Sequence, residues 1–202
     1  MSAIDERVTA AAMRVFAERG CAEVTMSELA AEAQVARGTL YRNIDSVEGL
    51  YARVVDNVAS TLHARVAAAL DDVGASDAPL RLATGVRLVV RLAHDNPSIG
   101  RFLVRFGLTE EALRALLVGP PMRDIEQGLS TGRYDIAPHL KVAVASLVSG
   151  ATVSAMQLVL DGHQGWRDAG STTAELVLRA LGIAPEEARS LAVAALPPLA
   201  LD

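Results

Sequence analysis

The first periodic run of apolar positions starts at Ile4. Val8, Ala12, Val15 and Phe16 fall on one side of a helix, Arg7, Arg14 and Glu18 on the other, and Gly20 ends it. Thr25-Met26-Ser27-Glu28 has the form of a capping box, in which the Thr25 side chain accepts from the Glu28 amide while the Glu28 carboxylate reaches back. The short second helix that begins there extends to about Ala33. Gln34-Val35 makes a tight break, and Arg37-Gly38-Thr39-Leu40-Tyr41-Arg42 supplies a third helix of about two turns. Two short helices joined in this way form a helix-turn-helix.

Asp45-Ser46-Val47-Glu48 offers another acceptor and acid at capping spacing. A long helix follows, with Leu50, Val54, Val58, Leu62, Val66 and Leu70 at every fourth position, and it connects a head to a body. Residues 74–77 form a polar break. Pro79 suits the first turn of the next helix, whose stripe is Leu82, Val86, Val89, Val90 and Ala93, until His94-Asp95-Asn96-Pro97 interrupts. Beyond residues 97–107, Thr109-Glu110-Glu111 opens a pattern that Gly119-Pro120-Pro121 must kink or break before it resumes at Met122 and ends at Thr131-Gly132, so an interrupted helix is expected.

Residues 137–160 are apolar almost all round, as are residues 176–181, and a helix of that kind needs cover on every side. A monomer of this size has too few layers to provide it. Small residues Gly150, Ala151, Ser154 and Ala155 allow a second helix to approach closely. Both segments therefore predict a dimer interface built as a four-helix bundle, two helices per subunit, with Leu147, Leu158, Leu176 and Leu181 as its apolar contacts.

Composition narrows the function classes. The 202 residues are 51% apolar with only 3% aromatics, which suits helices and a sizeable core. Cys21 is the single cysteine, so no intramolecular disulfide can form, and a reducing cytoplasm is the expected home. The start of the chain carries two acids before Arg7 and no apolar run of a signal peptide, and no stretch is read as the ~18 uncharged apolar residues of a membrane span, so no membrane partner is expected. HExxH and a Gly-rich phosphate fingerprint after a strand are missing, and Cys21 lies in a turn, so neither an enzyme nor a cofactor is expected. Asp161 and His163 stand too isolated to argue for a metal. The formal charge of -5 gives no basic footprint for nucleic acid.

Residues 18–50 nonetheless resemble the TetR family. The resemblance rests on the Gly20 turn, Thr25 with Ser27-Glu28-Leu29-Ala30, the run Gly38-Thr39-Leu40-Tyr41, and Glu48 followed by Leu50. It implies an all-α chain: a three-helix DNA-binding head over residues 1–49 and a larger helical effector-binding and dimerisation body over residues 50–202. It implies a homodimeric repressor, without catalytic activity, that leaves a palindromic double-stranded DNA operator when a small molecule binds the body. By position, Arg37, Thr39, Tyr41 and Arg42 match the family's recognition helix, and Thr25 matches a residue that caps the second helix and touches phosphate. An α-helix fits the major groove, where Arg37 can meet a guanine edge, Thr39 a thymine methyl or phosphate, and Tyr41 the backbone.

Three positions depart from the family pattern. Gln34 replaces a turn glycine, where a left-handed backbone costs a side-chain-bearing residue about 1 kcal/mol. Asn43-Ile44 replaces an aromatic pair between the third and fourth helices, and Val47 replaces a lysine that pairs with phosphate. With Glu23, Glu28 and Glu32 nearby, a shallow salt dependence is expected, and a helical sensor or protein-interaction protein with a weakened DNA head is the alternative reading. Candidate effector contacts in the body are Phe102, Phe106, Met122 and Met156, with His63 and Arg91, and also His94 and Tyr134, as polar groups able to orient a ligand. The scarcity of aromatics points to an apolar or weakly acidic effector. His139, His163 and Trp166 are assigned to helix ends or to a loop over residues 161–170.

Overall fold

The computed structural model describes residues 3–72 and 77–199, so the polar break expected at 74–77 lies, apart from Asp77, outside them. The helices are α1 (Ala3–Arg19), α2 (Met26–Glu32), α3 (Arg37–Asn43), α4 (Val47–Asp72), α5 (Ala78–Asp95), α6 (Pro97–Phe106), α7 (Glu111–Ser130), α8 (Lys141–Leu160), α9 (Trp166–Ala180) and α10 (Pro185–Ala192). A single 3-10 turn, Pro138–Leu140, leads into α8.

Local chemistry sets the ends of the head helices. Gly20 closes α1 at φ +84°, its amide donating to the Phe16 carbonyl. Thr25 opens α2 with both halves of the capping box: the Glu28 amide donates to Thr25 Oγ1 at 3.3 Å, and the Thr25 amide donates to Glu28 Oε2 at 2.8 Å. At the far end of α2 the Val35 amide reaches the Ala30 carbonyl and the Gln34 amide the Ala31 carbonyl, a Schellman pair that places Gln34 at φ +54°. The turn at Gln34 is thus left-handed despite the cost to a residue with a side chain, where glycine is favoured. Ser46 Oγ accepts from the Gly49 amide at 3.0 Å and starts α4.

α5 is the central helix of the body, with Leu82, Leu88, Val90 and Leu92 all buried among α4 and α6 to α10. One apolar core runs from Phe16, Leu29, Leu40 and Leu50 of the head into Leu88, Leu92, Phe102 and Leu103 of the body. A second, around Leu82, Ile125, Val177, Leu178 and Leu181, holds the rest of the body together. The 49/50 division therefore falls inside the first turn of α4, within continuous packing. Ile44 is itself buried in the first core, so the missing aromatic leaves a filled position.

Four expectations require correction. α7 is one helix through Pro120 and Pro121. Pro121 has no amide to offer the Leu117 carbonyl, but Ser149 Oγ of α8 lies 2.9 Å from that oxygen and also from the Ala145 carbonyl, so a neighbouring hydroxyl takes over the lost donor's position. Leu181 is fully buried in the second core and has no place in a subunit contact. Pro138–Leu160 is long and apolar enough to cross a membrane by length and composition, contrary to the reading that no stretch is; here one side of it, Ala145, Val148, Thr152, Ala155 and Met156, is buried in the body. α9 begins at Trp166, which shortens the expected loop to residues 161–165. α10 was not anticipated, although Pro185 with Glu186 and Glu187 is a helix-start signal.

Candidate functional site

The face that α3 turns outward is uncovered. Tyr41 is 58% exposed, Arg37 and Arg42 are exposed, and nothing lies within 4 Å of where a Gly38 Cβ would sit, while Leu40 points inward and is fully buried. Arg42 Nη2 donates to Thr39 Oγ1 at 3.3 Å, so these two candidates form one polar unit. Thr25 is exposed at the start of α2, its hydroxyl committed to the capping box.

Two acids of the head are paired with arginines of α1. Arg19 Nη1 reaches Glu28 Oε1 at 2.7 Å and Arg14 Nη2 reaches Glu32 Oε1 at 3.0 Å. Hydrogen bonds from Arg19 and Thr25 hold the Glu28 carboxyl down to about 2. Among the described residues Arg37 and Arg42 make no ion pair, so the outward side of α3 is cationic within an acidic chain.

Where head meets body, Phe16, Tyr51, Phe102 and Phe106 form an aromatic cluster with ring centroids 4.8–6.0 Å apart. The Tyr51 hydroxyl donates to Glu110 Oε1 at 2.9 Å, and burial together with that bond raises the Tyr51 pKa. Arg105 Nη1 donates to the Glu18 carbonyl at 2.8 Å, which caps the end of α1 from α6. Phe102 and Phe106 are thus parts of the junction and do not line a pocket.

A cavity of about 170 Å³ opens between α4, α5, α7 and α8. Leu62, Val66, Val86, Val89, Leu117 and Val148 make its apolar wall, and His63, Arg81, Asp124 and Thr152 its polar lining. Asp124 is buried, with Oδ1 accepting from Arg81 Nε at 3.1 Å; burial raises its pKa against the pull of Arg81. Of the sequence candidates for the effector, only His63 lines this space. Met156 is fully buried in the first core and Met122 packs against the second. Arg91 is held by Asp95 at 3.2 Å, and His94 is exposed beside Trp166, with ring centroids 6.2 Å apart. Tyr134 is buried edge to edge with the bare backbone of Gly128, its hydroxyl without a protein partner. The residues that do shape the cavity come from four helices far apart in sequence, and no local motif marks them.

On the outer side of α8 and α9, Leu147 is 53% and Leu176 59% exposed, with Leu158 and Ser154 exposed between them, Ala151 half-buried and the space above Gly150 open. Leu140 and Val142, at the start of α8, are exposed as well. Among the described residues, no group of three metal-ligating side chains gathers.

Comparison with known proteins adds the following. Residues 8–54 match the family model described as bacterial regulatory proteins, tetR family, and residues 78–194 match the tetracyclin repressor-like C-terminal domain. An uncharacterized HTH-type transcriptional regulator of Mycobacterium tuberculosis is 32% identical over 94 residues, 46% of each chain, so the match spans about half the length of that relative. The HTH-type transcriptional repressor DhaR of a Mycobacterium sp. is 28% identical over 138 residues, 63% of this chain and 69% of DhaR. The crystal structure of RolR in complex with resorcinol superposes with a TM-score of 0.70 at 25% identity, over 98% of this chain and 96% of RolR.

Proposed function

The chain belongs to the TetR family of bacterial regulatory proteins, and from that premise we propose that it is a cytoplasmic, ligand-responsive transcription repressor that grips a palindromic operator as a homodimer. The observation that carries the reading is the α3 face: two arginines free of acid partners, an exposed tyrosine and an open glycine on a short helix, in a chain that is otherwise acidic. A protein whose head had lost DNA binding would have no reason to route Glu28 and Glu32 into pairs with Arg19 and Arg14 and leave Arg37 and Arg42 unpaired.

In this reading Arg37 reads a base edge, Thr39, Tyr41 and Arg42 hold the backbone, and Thr25 touches phosphate. The strip of Leu147, Gly150, Ala151, Ser154, Leu158 and Leu176 pairs with its copy and sets two α3 helices about one helical turn of DNA apart, ~34 Å. The effector occupies the cavity beside α4. Its volume of about 170 Å³ suits a molecule the size of a single substituted ring, since an engineered cavity of ~150 Å³ takes benzene. RolR, with resorcinol as its ligand, is a relative of that kind. Asp124 beside Arg81 gives such a ligand one polar anchor in an apolar wall, consistent with an apolar or weakly acidic effector. A ligand that fits better when α4 is tilted changes the spacing of the recognition helices and weakens DNA binding by its own preference for that state.

The test is a binding selection on genomic fragments with the purified protein, followed by gel shift of the best palindrome. One dimer per palindrome, lost in Tyr41→Ala with Arg42→Ala, is the expected result. Sequence-independent binding, or binding that survives the double substitution, would overturn the assignment.

A further inference from the structure

A second concave site lies on the opposite side of α9 from the proposed dimer strip. Arg87 and Arg91 of α5, Trp166, Arg167 and Ser171 of α9, and the chain after α10 at residues 193–196 line an open groove of about 440 Å³. Arg87 is only 9% exposed, packed against the bare backbone of Gly170, with Nη1 donating to the Ala194 carbonyl at 2.7 Å. Arg167 lays its guanidinium over the Trp166 ring, 4.4 Å from the centroid, and Arg91 stands 5.5 Å from the same ring. The single tryptophan of the chain therefore gathers arginines from two helices.

Charge is unbalanced there. Arg91 has Asp95 as its partner, but neither Arg87 nor Arg167 pairs with a carboxylate among the described residues, and Asp168, although next in sequence, is exposed and joins no arginine. Burial alone lowers the Arg87 pKa, with no acid opposing it. A guanidinium taken out of water without a counter-charge is unfavourable, and an anion in the groove removes that penalty. At ~100° per residue, Ser171 and Arg167 stand about 140° and 180° round α9 from Leu176, so the groove faces away from the strip that would pair two subunits.

We propose that this groove is a second small-molecule site, separate from the cavity beside α4, which takes a compact dianion: a phosphate ester or diphosphate, or a dicarboxylate. Arg87 and Arg167 hold its oxyanions, and Ser171 adds a hydroxyl. Occupancy ties residues 193–196 to α5 and α9 and so fastens the end of the chain to the body.

Because Trp166 is the only tryptophan, the indole emission of the protein arises at the wall of this groove. Full-length protein is titrated with inorganic pyrophosphate and, separately, with succinate, each against chloride at equal ionic strength. The expected result is a saturable change in emission and a rise of several degrees in the thermal midpoint for at least one of them, and the one that acts identifies the chemical source. Arg167→Gln, an exposed position, weakens binding at least tenfold in the thermal readout, which does not depend on the indole's own environment, while Arg114→Gln on exposed α7 leaves it unchanged. A response that fails to saturate with both anions, or that falls equally in the two variants, overturns the proposal.

Discussion

The most exacting test of the packing concerns Ser149 and Pro121. Proline at 121 leaves the Leu117 carbonyl without its helical donor, and the Ser149 hydroxyl stands 2.9 Å from it across the α7 and α8 contact. Leu117 and Ser149 are both buried, so water cannot readily substitute. Ser149→Ala should therefore cost about 1–2 kcal/mol, the usual penalty for an orphaned buried acceptor. The hydroxyl has one proton, and the Ala145 carbonyl, also 2.9 Å away, competes with the Leu117 carbonyl for it, which would blur the interpretation of a single variant. A double-mutant cycle separates the two. In a Pro121→Ala background the new amide can bond the Leu117 carbonyl, and Ser149→Ala should then cost about 1 kcal/mol less than in the wild type. The assay is urea unfolding followed by circular dichroism at one fixed protein concentration, because the midpoint of the proposed dimer would depend on concentration. Equal costs in both backgrounds, within about 0.5 kcal/mol, would refute the claim that the hydroxyl stands in for the missing amide.

Four further outcomes are expected. Gln34→Gly relieves a left-handed L residue and should stabilise the head by about 0.5–1 kcal/mol, raising hydrogen-exchange protection of α2 and α3 roughly two- to five-fold; unchanged exchange would mean the turn carries no strain. Glu28 has its pKa lowered in the folded head, so its contribution is fully present above the unfolded value near 4.5 and is lost as pH falls towards about 2; exchange of the α2 amides should accelerate in that window and do so less in Glu28→Gln. Tyr134→Phe deletes a buried hydroxyl that has no partner among the described residues and should leave the unfolding free energy equal or higher by about 1 kcal/mol, whereas a loss above that size would reveal a hidden partner. On the proposed reading operator affinity should fall with a log–log salt slope of roughly -2, since Arg42 of each subunit holds phosphate while Arg37 reads a base edge; a slope near -8 would place other basic residues on the DNA.

How much of this was legible beforehand depended on distance along the chain. The head was readable because its signals are local: Gly20, the Thr25 and Glu28 pair and the Gln34 break each act within a few residues, and each appears where the pattern put it. The body cavity was not, since Leu62, Val86, Leu117 and Val148 meet only through tertiary packing. Phe102 and Phe106 look the same in sequence whether they line a pocket or clasp Tyr51, and only the register of α6 against α4 decides. Leu181 was misplaced because apolar content all round a segment marks burial without saying whether the subunit's own core or a second copy provides it. Pro120 and Pro121 predicted a break on intrinsic grounds that a serine 28 residues past the second proline outweighs.

The aromatic knot at the junction has a mechanical meaning. Tyr51 is pinned by Phe16, Phe102, Phe106 and Glu110, whereas α4 touches the cavity at Leu62 to Leu70. At 1.5 Å per residue, the midpoint of that contact lies about 22 Å from Tyr51, so the knot is a fulcrum and the lower part of α4 a long arm. On the proposed reading, a ligand that shifts the arm by about 2 Å turns the helix by roughly 5°, small enough for the packed core to follow as a unit. Head and helix share one core, so the turn passes to α3 undiminished. In a two-fold dimer the part of each turn about an axis perpendicular to the dyad is opposite in the two heads, and recognition would be broken by the angle between two reading helices, up to about 10°, with every contact inside each head intact.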